Sequence, residues 1–251
     1  MSLPGEAGKS VFITGASSGL GRQMAIEFAR RGYRLALTAR RLDLLQDLQG
    51  ELGLPESALL IAALDVTDEA AVTRVLSEAQ AFFGVLDIVV ANAGIGHHAR
   101  IGKLAFAKVR DTINTNVIGF MATVDAAVHC FEAQGHGHLV GISSVAAFRG
   151  LPAGGAYGAS KSAVTAYLQA LRAESHGSKI LVTTLSPGFI DTPINRGAKS
   201  RPFVIPVEQG GKLLVDLIEK RVECASVPRW PWALVSRLIA ILPTAVIARF
   251  R

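Results

Sequence analysis

The stretch Ser10-Val11-Phe12-Ile13-Thr14-Gly15-Ala16-Ser17-Ser18-Gly19-Leu20-Gly21 decides the fold. Its first five residues are a continuous apolar and β-branched run, which reads as a strand covered on both faces. A glycine turn follows, and from Gly19 the pattern takes a helical period as far as residue 31. A strand running through a glycine turn into a helix brings backbone N–H groups and a helix N-terminus to one point, an anion site. The pyrophosphate of a dinucleotide fits it. The spacing is Gly-x-x-x-Gly-x-Gly, not Gly-x-Gly-x-x-Gly, so by itself the turn also reads as a tight connection.

The same unit recurs outward from this point. Strands are expected over 10–14, 34–38, 58–63, 86–91, 138–143 and 179–185, and helices over 19–31, 41–52, 68–83, 106–133, 156–175 and 206–220. Strands that are continuously apolar and alternate with helices predict a doubly wound α/β fold, a parallel sheet with helices on both faces. Its ligands are expected beyond the carboxyl ends of the strands. No linker or repeat interrupts the alternation before residue 190, and residues 1–228 read as one cofactor-binding catalytic domain.

Composition agrees. The chain has 251 residues, 50% of them hydrophobic and 18% charged, which suits one buried core and excludes collagen, coiled coil and disorder. Mean hydropathy is +0.36, yet no apolar stretch is long and uninterrupted enough to predict a membrane-spanning helix. Lys and Arg number 26 against 20 Asp and Glu, a net charge of +6 that favours acidic partners. Aromatic residues are 6% and the cations are scattered, so nucleic acid is not expected. Cys130 and Cys224 lack metal or redox spacing, and His136-Gly137-His138 has no third ligand nearby, so no metal is expected. Met1-Ser2-Leu3-Pro4-Gly5-Glu6 has neither the basic nor the apolar region of a signal peptide; the expected location is cytoplasmic.

The second strand bears on the cofactor. Where a cofactor without a 2′-phosphate would want an acid on its ribose, the strand ends Thr38-Ala39-Arg40-Arg41. Cations there favour NADP over NAD; the alternative is a pair of surface arginines opening a helix. Further on, Asn92-Ala93-Gly94 follows the fourth strand, Asn116-Val117-Ile118-Gly119 lies in the next helix, and Ser144 follows the fifth strand. Then come Tyr157-Gly158-Ala159-Ser160-Lys161 and, after the sixth strand, Pro187-Gly188-Phe189-Ile190-Asp191-Thr192. Taken in this order over residues 9–193, these segments resemble the short-chain dehydrogenase/reductase family, with Ala91 standing where many members have a second Asn.

The resemblance implies a Rossmann-type fold in which Gly15, Ser17, Ser18, Gly19, Leu20 and Gly21 surround the pyrophosphate. It places Asp65 and Val66 at the adenine, Asn92, Ala93 and Gly94 beside the adenosine, and Pro187, Gly188, Ile190 and Thr192 at the nicotinamide. It also implies that Asn116 holds a water linking Lys161 to solvent, and that the protein is a homodimer or homotetramer. The stripe Ala156, Ala159, Ala163, Ala166, Ala170 and Ala173 suits such a helix-to-helix contact.

The chemistry also follows from the residues. Tyr157 and Lys161 are four apart on one helix, so they share a face, and an ammonium beside a phenol is expected to lower the phenol's pKa. Tyr157 would then protonate a carbonyl oxygen, Ser144 would hydrogen-bond it, and Lys161 would bias Tyr157 and grip the ribose. The expected activity is NADP(H)-dependent reduction of a carbonyl or oxidation of an alcohol. The alternatives are a 3-oxoacyl carrier-protein reductase and an NADP-sensing protein without turnover; an intact Ser144, Tyr157 and Lys161 argues against the sensor.

Substrate contacts are expected from Ser144, Val145, Tyr157, Phe189 and His97, in loops over 95–103, 145–155 and 195–206. Apolar Val145, Phe148, Leu151 and Phe189 suggest a lipid, steroid, retinoid or aromatic carbonyl. Residues 229–251 leave the common plan. They read as two short apolar helices broken at Pro243, basic through Arg229, Arg237, Arg249 and Arg251, with no acid. Such a tail suits a lid over the cleft, a subunit contact or a peripheral membrane contact.

Overall fold

The computed structural model describes residues 8–196 and 200–249. Residues 1–6 of the leader reading, and Phe250 and Arg251 of the tail, lie outside the described residues.

Among the described residues seven strands form one parallel sheet: β1 Ser10–Thr14, β2 Arg34–Ala39, β3 Leu59–Ala63, β4 Ile88–Ala91, β5 Gly137–Ile142, β6 Ile180–Pro187 and β7 Cys224–Val227. Their order is β3-β2-β1-β4-β5-β6-β7. The order reverses between β1 and β4, which opens a crevice at their carboxyl ends. Side chains along a strand alternate in direction, and here both directions are buried. Val11, Ile13, Leu35, Leu37 and Val90 join one core cluster, while Phe12, Ala36, Val89 and Leu139 join the other. That is why these strands are apolar without interruption.

Helices α1 (Gly19–Arg30), α2 (Leu42–Leu52) and α7 (Val207–Glu219) supply Met24, Phe28, Leu45, Leu48, Leu214 and Ile218 to the first cluster. Helices α3 (Glu69–Phe83), α5 (Gly119–Gln134) and α6 (Gly155–Glu174) supply Val72, Leu76, Phe120, Phe131 and Leu168 to the second. Asp68, read as the first residue of α3, is its N-cap and accepts from Ala71 N at 3.0 Å. On α6 the alanines Ala159, Ala166, Ala170 and Ala173 are exposed.

The structure differs from the sequence reading in three places. Helix 106–133 is not continuous: α4 (Phe106–Ile113) and α5 are joined by a π turn, Asn114–Ile118. The strand β7 has no counterpart in the reading; it is four residues long and acquires strand geometry by pairing with β6, Thr184 to Pro187. The tail forms α8 (Arg229–Ile241) and α9 (Thr244–Ile247), parted at Leu242 and Pro243, so the break falls as expected while the second helix is a single turn. Among the described residues no helix is long and apolar enough to cross a membrane.

Candidate active site

A cleft of about 580 Å³ opens at the carboxyl ends of the strands. At one end lies the glycine turn. Gly15 and Gly19 have φ of +70° and +56°, a backbone region that favours glycine. A Cβ on Gly21 would overlap Gly15 O, so the helix approaches the turn more closely than any side chain permits. The N-terminus of α1 carries no side-chain cap and no acid in its first turn, which leaves its N–H groups for an anion. Asn92 fixes the turn from below, donating through Nδ2 to Thr14 O at 2.9 Å.

Beyond β2, Arg40 and Arg41 both line the cleft. Arg41 donates to Ser17 Oγ and Ser18 Oγ at 3.3 and 3.1 Å, folding back over the turn. Arg40 stands 3.9 Å from an Asp65 carboxylate oxygen. Asp65 also accepts from Thr67 N and Thr67 Oγ1, which closes the turn after β3 and presents Val66 to the cleft. Val66 packs against Gly119, where a Cβ would come within 2.8 Å of Val66 O.

At the other end Ser144, Tyr157 and Lys161 converge, carried by the loop after β5 and by the first turns of α6. Lys161 Nζ is buried and donates to Ile142 O at 2.8 Å, lying 5.9 Å from the centre of the Tyr157 ring. Burial lowers its pKa to about 8. The Tyr157 phenol goes the other way: burial raises its pKa, opposed by its hydrogen bond with Ser144. The sequence reading expected a phenol lowered by Lys161. Desolvation is the larger effect, and Lys161 directs its proton to a backbone carbonyl.

Asn116 sits on the π turn, a local widening that often marks functional positions. Its Oδ1 accepts from Ile95 N at 2.8 Å, and its Nδ2 donates to Ile95 O at 2.8 Å and Ser160 Oγ at 3.0 Å. The side chain is therefore a clamp on the turn that carries Gly94 and Gly96. A Cβ on Gly94 would stand 3.3 Å from Asn116 Oδ1 and 3.5 Å from Lys161 Nζ.

Most of the expected cofactor residues line this one cleft: the glycine turn, Asp65, Val66, Asn92, Ala93, Gly94, Pro187, Gly188, Ile190 and Thr192. His97 lines it as well. Val145 and Phe189 do not. Val145 opens a short 3-10 turn directly after Ser144, and the centre of the Phe189 ring lies 5.9 Å from that of Trp232 of α8. Beside Tyr157 stand residues the sequence left unassigned. Gly96 lies between Ile194 and Tyr157, a Cβ there standing 3.0 Å from Ile194 Cγ1 and 3.2 Å from Tyr157 Cδ2. Ile95, Thr115, Ser143 and Asn195 also line the cleft. The signal for Ile194 was its position two residues after Thr192, in a loop whose path sequence does not give. Among the described residues no group of His, Cys, Asp and Glu could hold a metal ion.

The comparisons with known proteins give the family to which this fold belongs. The chain belongs to the short chain dehydrogenase family, whose model matches residues 9–202. It is 40% identical over 251 residues to an uncharacterized oxidoreductase of Mycobacterium tuberculosis, covering 99% of each chain. It is 36% identical over 236 residues to an uncharacterized oxidoreductase of Myxococcus xanthus, covering 94% of this chain and 93% of that one. Among solved structures it is similar to a 3-ketoacyl-(acyl-carrier-protein) reductase from Brucella melitensis complexed with NADH. There the TM-score is 0.80 at 27% identity, over 88% of this chain and 97% of that one. An alcohol dehydrogenase from Thermococcus sibiricus complexed with 5-hydroxy-NADP gives a TM-score of 0.75 at 29% identity, over 87% and 95%. The protein is thus an oxidoreductase of this family.

Proposed function

We propose that the protein is an NADP(H)-dependent oxidoreductase acting on the carbonyl or alcohol group of an apolar small molecule. The observation that carries this reading is one cleft with Ser144, Tyr157 and Lys161 at one end and Arg40 and Arg41 at the other. The uncapped start of α1 and the cradle of Gly15, Gly19 and Gly21 fit a pyrophosphate. Arg40 and Arg41 fit a 2′-phosphate, Asp65 and Val66 an adenine, and Ile190 and Thr192 a carboxamide. When bound, the nicotinamide supplies or accepts the hydride.

For reduction, Ser144 donates a hydrogen bond to the substrate oxygen, where negative charge develops. Tyr157 transfers its phenolic proton to that oxygen and becomes a phenolate. Lys161, buried and charged beside it, stabilises the phenolate and returns a proton. In the oxidative direction the phenolate accepts the alcohol proton. Asn116 positions the Ile95 backbone and, through Ser160, the start of α6. The walls beside Tyr157, Ile95, Gly96 and Ile194, favour an apolar substrate over a sugar.

A second reading, reduction of a 3-oxoacyl group on an acidic carrier protein, draws on the net charge of +6 and the likeness to the Brucella melitensis reductase. Cofactor absorbance followed over apolar ketones, alcohols, sugars and acyl thioesters separates the two. In the same assay Tyr157→Phe should lower turnover by about 10² to 10⁴ while NADPH affinity stays within a few-fold, since the ring is kept and the proton donor is lost. Retention of more than about a tenth of the rate would remove Tyr157 from the acid role.

A further inference from the structure

We propose that the outward face of α8 is a docking surface for an anionic lipid bilayer. A helix on a globular protein ordinarily turns its apolar stripe inward and its polar residues to water. The helix α8 is apolar on both sides: Trp232 packs inward and Val235 and Ile239 are half-buried, yet a second apolar stripe faces out. Trp232 and Ser236 face inward, each 3% exposed. On the opposite side Leu234, Leu238 and Ile241, spaced four and three apart, are 58%, 52% and 79% exposed. Trp230, at the start of the helix, is 77% exposed. A serine is buried while leucines stand in water, so the outward stripe calls for a partner.

Charge selects the partner. From Cys224 to the end of the chain there is no Asp or Glu, and Arg229, Arg237 and Arg249 are exposed. At 100° per residue Arg237 flanks the stripe. Two copies meeting through this same face would bring together two cationic patches with no acid from either tail between them. A bilayer with anionic headgroups matches these cations, while the leucines enter the acyl boundary and Trp230 sits at the headgroup level. With 13 residues α8 is too short to span and suits lying in the interface.

The face is also held in place. The Trp232 indole packs against Gly188, where any Cβ would overlap it, and against the rings of Phe189 and Phe203. At the other end Arg149 donates to Ala240 O and Leu242 O at 3.5 and 3.3 Å. These anchors come from the loops after β5 and β6, so a bilayer on α8 lies at the end of the sheet where the cleft opens.

The test uses the full chain without substrate, so its result does not depend on the catalytic reading. Vesicles of phosphatidylglycerol with phosphatidylcholine, and vesicles of phosphatidylcholine alone, are floated with the protein. The expected result is flotation with the anionic vesicles only, weakened at about 1 M salt, where the Debye length falls to about 3 Å. Leu234→Glu with Leu238→Glu, and separately Arg229→Glu with Arg237→Glu, should each cut the bound fraction at least about tenfold at an unchanged melting temperature. The proposal is overturned by wild-type protein that does not float, by equal flotation with both vesicles, or by variants that float as well as wild type. A leucine variant that changes the oligomeric state of a wild-type chain indifferent to vesicles would assign the face to a second copy instead.

Discussion

Lys161 bears two demands that oppose each other. Its ammonium is wanted beside Tyr157, yet burial lowers its pKa to about 8, below the 10.5 of a free lysine. Below pH 8 the folded and unfolded chains both hold the proton, and the folded state bears the full cost of burying it. Between about 8 and 10.5 the folded state releases the proton while the unfolded state keeps it, so this cost fades as pH rises. Measured by chemical denaturation, Lys161→Met should therefore change stability most favourably near pH 7. Its advantage relative to wild type should shrink by up to about 3 kcal/mol on going to pH 10. A pH-independent difference would mean that Lys161 is not desolvated. At the far end of the cleft, Arg40→Asp with Arg41→Asp removes two cations and puts repulsion against a 2′-phosphate. The ratio of kcat/KM for NADPH over NADH should fall by at least about 10², and an unchanged ratio would end the NADP assignment.

Between elements, the contact of α1 with α7 rests on charge as well as apolar packing. Arg31, just past α1, pairs with Glu27 at 2.5 Å, Asp216 at 2.7 Å and Glu219 at 2.6 Å. Glu219 also accepts from Tyr33 Oη at 3.2 Å. Three carboxylates raise the Arg31 pKa despite its burial, and Arg31 in turn lowers that of Asp216. Arg31→Ala would leave the buried Glu219 without its cation. The expected loss is about 3 to 5 kcal/mol in urea denaturation at pH 7, with cofactor affinity affected far less, because the glycine turn lies at the opposite end of α1. A loss below about 0.5 kcal/mol would show that the network is solvated.

At the scale of the whole molecule α8 packs against the rest of the fold through Trp232. Trp232 fills the space that Gly188 leaves open, and Gly188 lines the cleft. Trp232→Ala should destabilise the protein by about 3 to 5 kcal/mol, as for other buried aromatic residues, and impair turnover through the Pro187–Phe189 turn. Thermal unfolding and a KM-against-kcat comparison read the two effects. An unchanged melting temperature would detach the tail from the core.

The sequence by itself determined the alternation of strands and helices, because strands buried on two faces must be apolar throughout. It also placed the glycine turn, Arg40 and the Tyr157 to Lys161 spacing, because each depends on residues close together in the chain. Tertiary structure decided the rest. The strand β7 exists by pairing with β6, and the π turn turns Asn116 toward Ile95. Phe189 was legible as apolar, but its packing beside Trp232 and the place of Ile194 beside Gly96 and Tyr157 depend on contacts between segments far apart in the chain. The direction of the Tyr157 pKa was likewise misread from helix spacing, since spacing gives proximity to a charge and not the depth of burial that outweighs it.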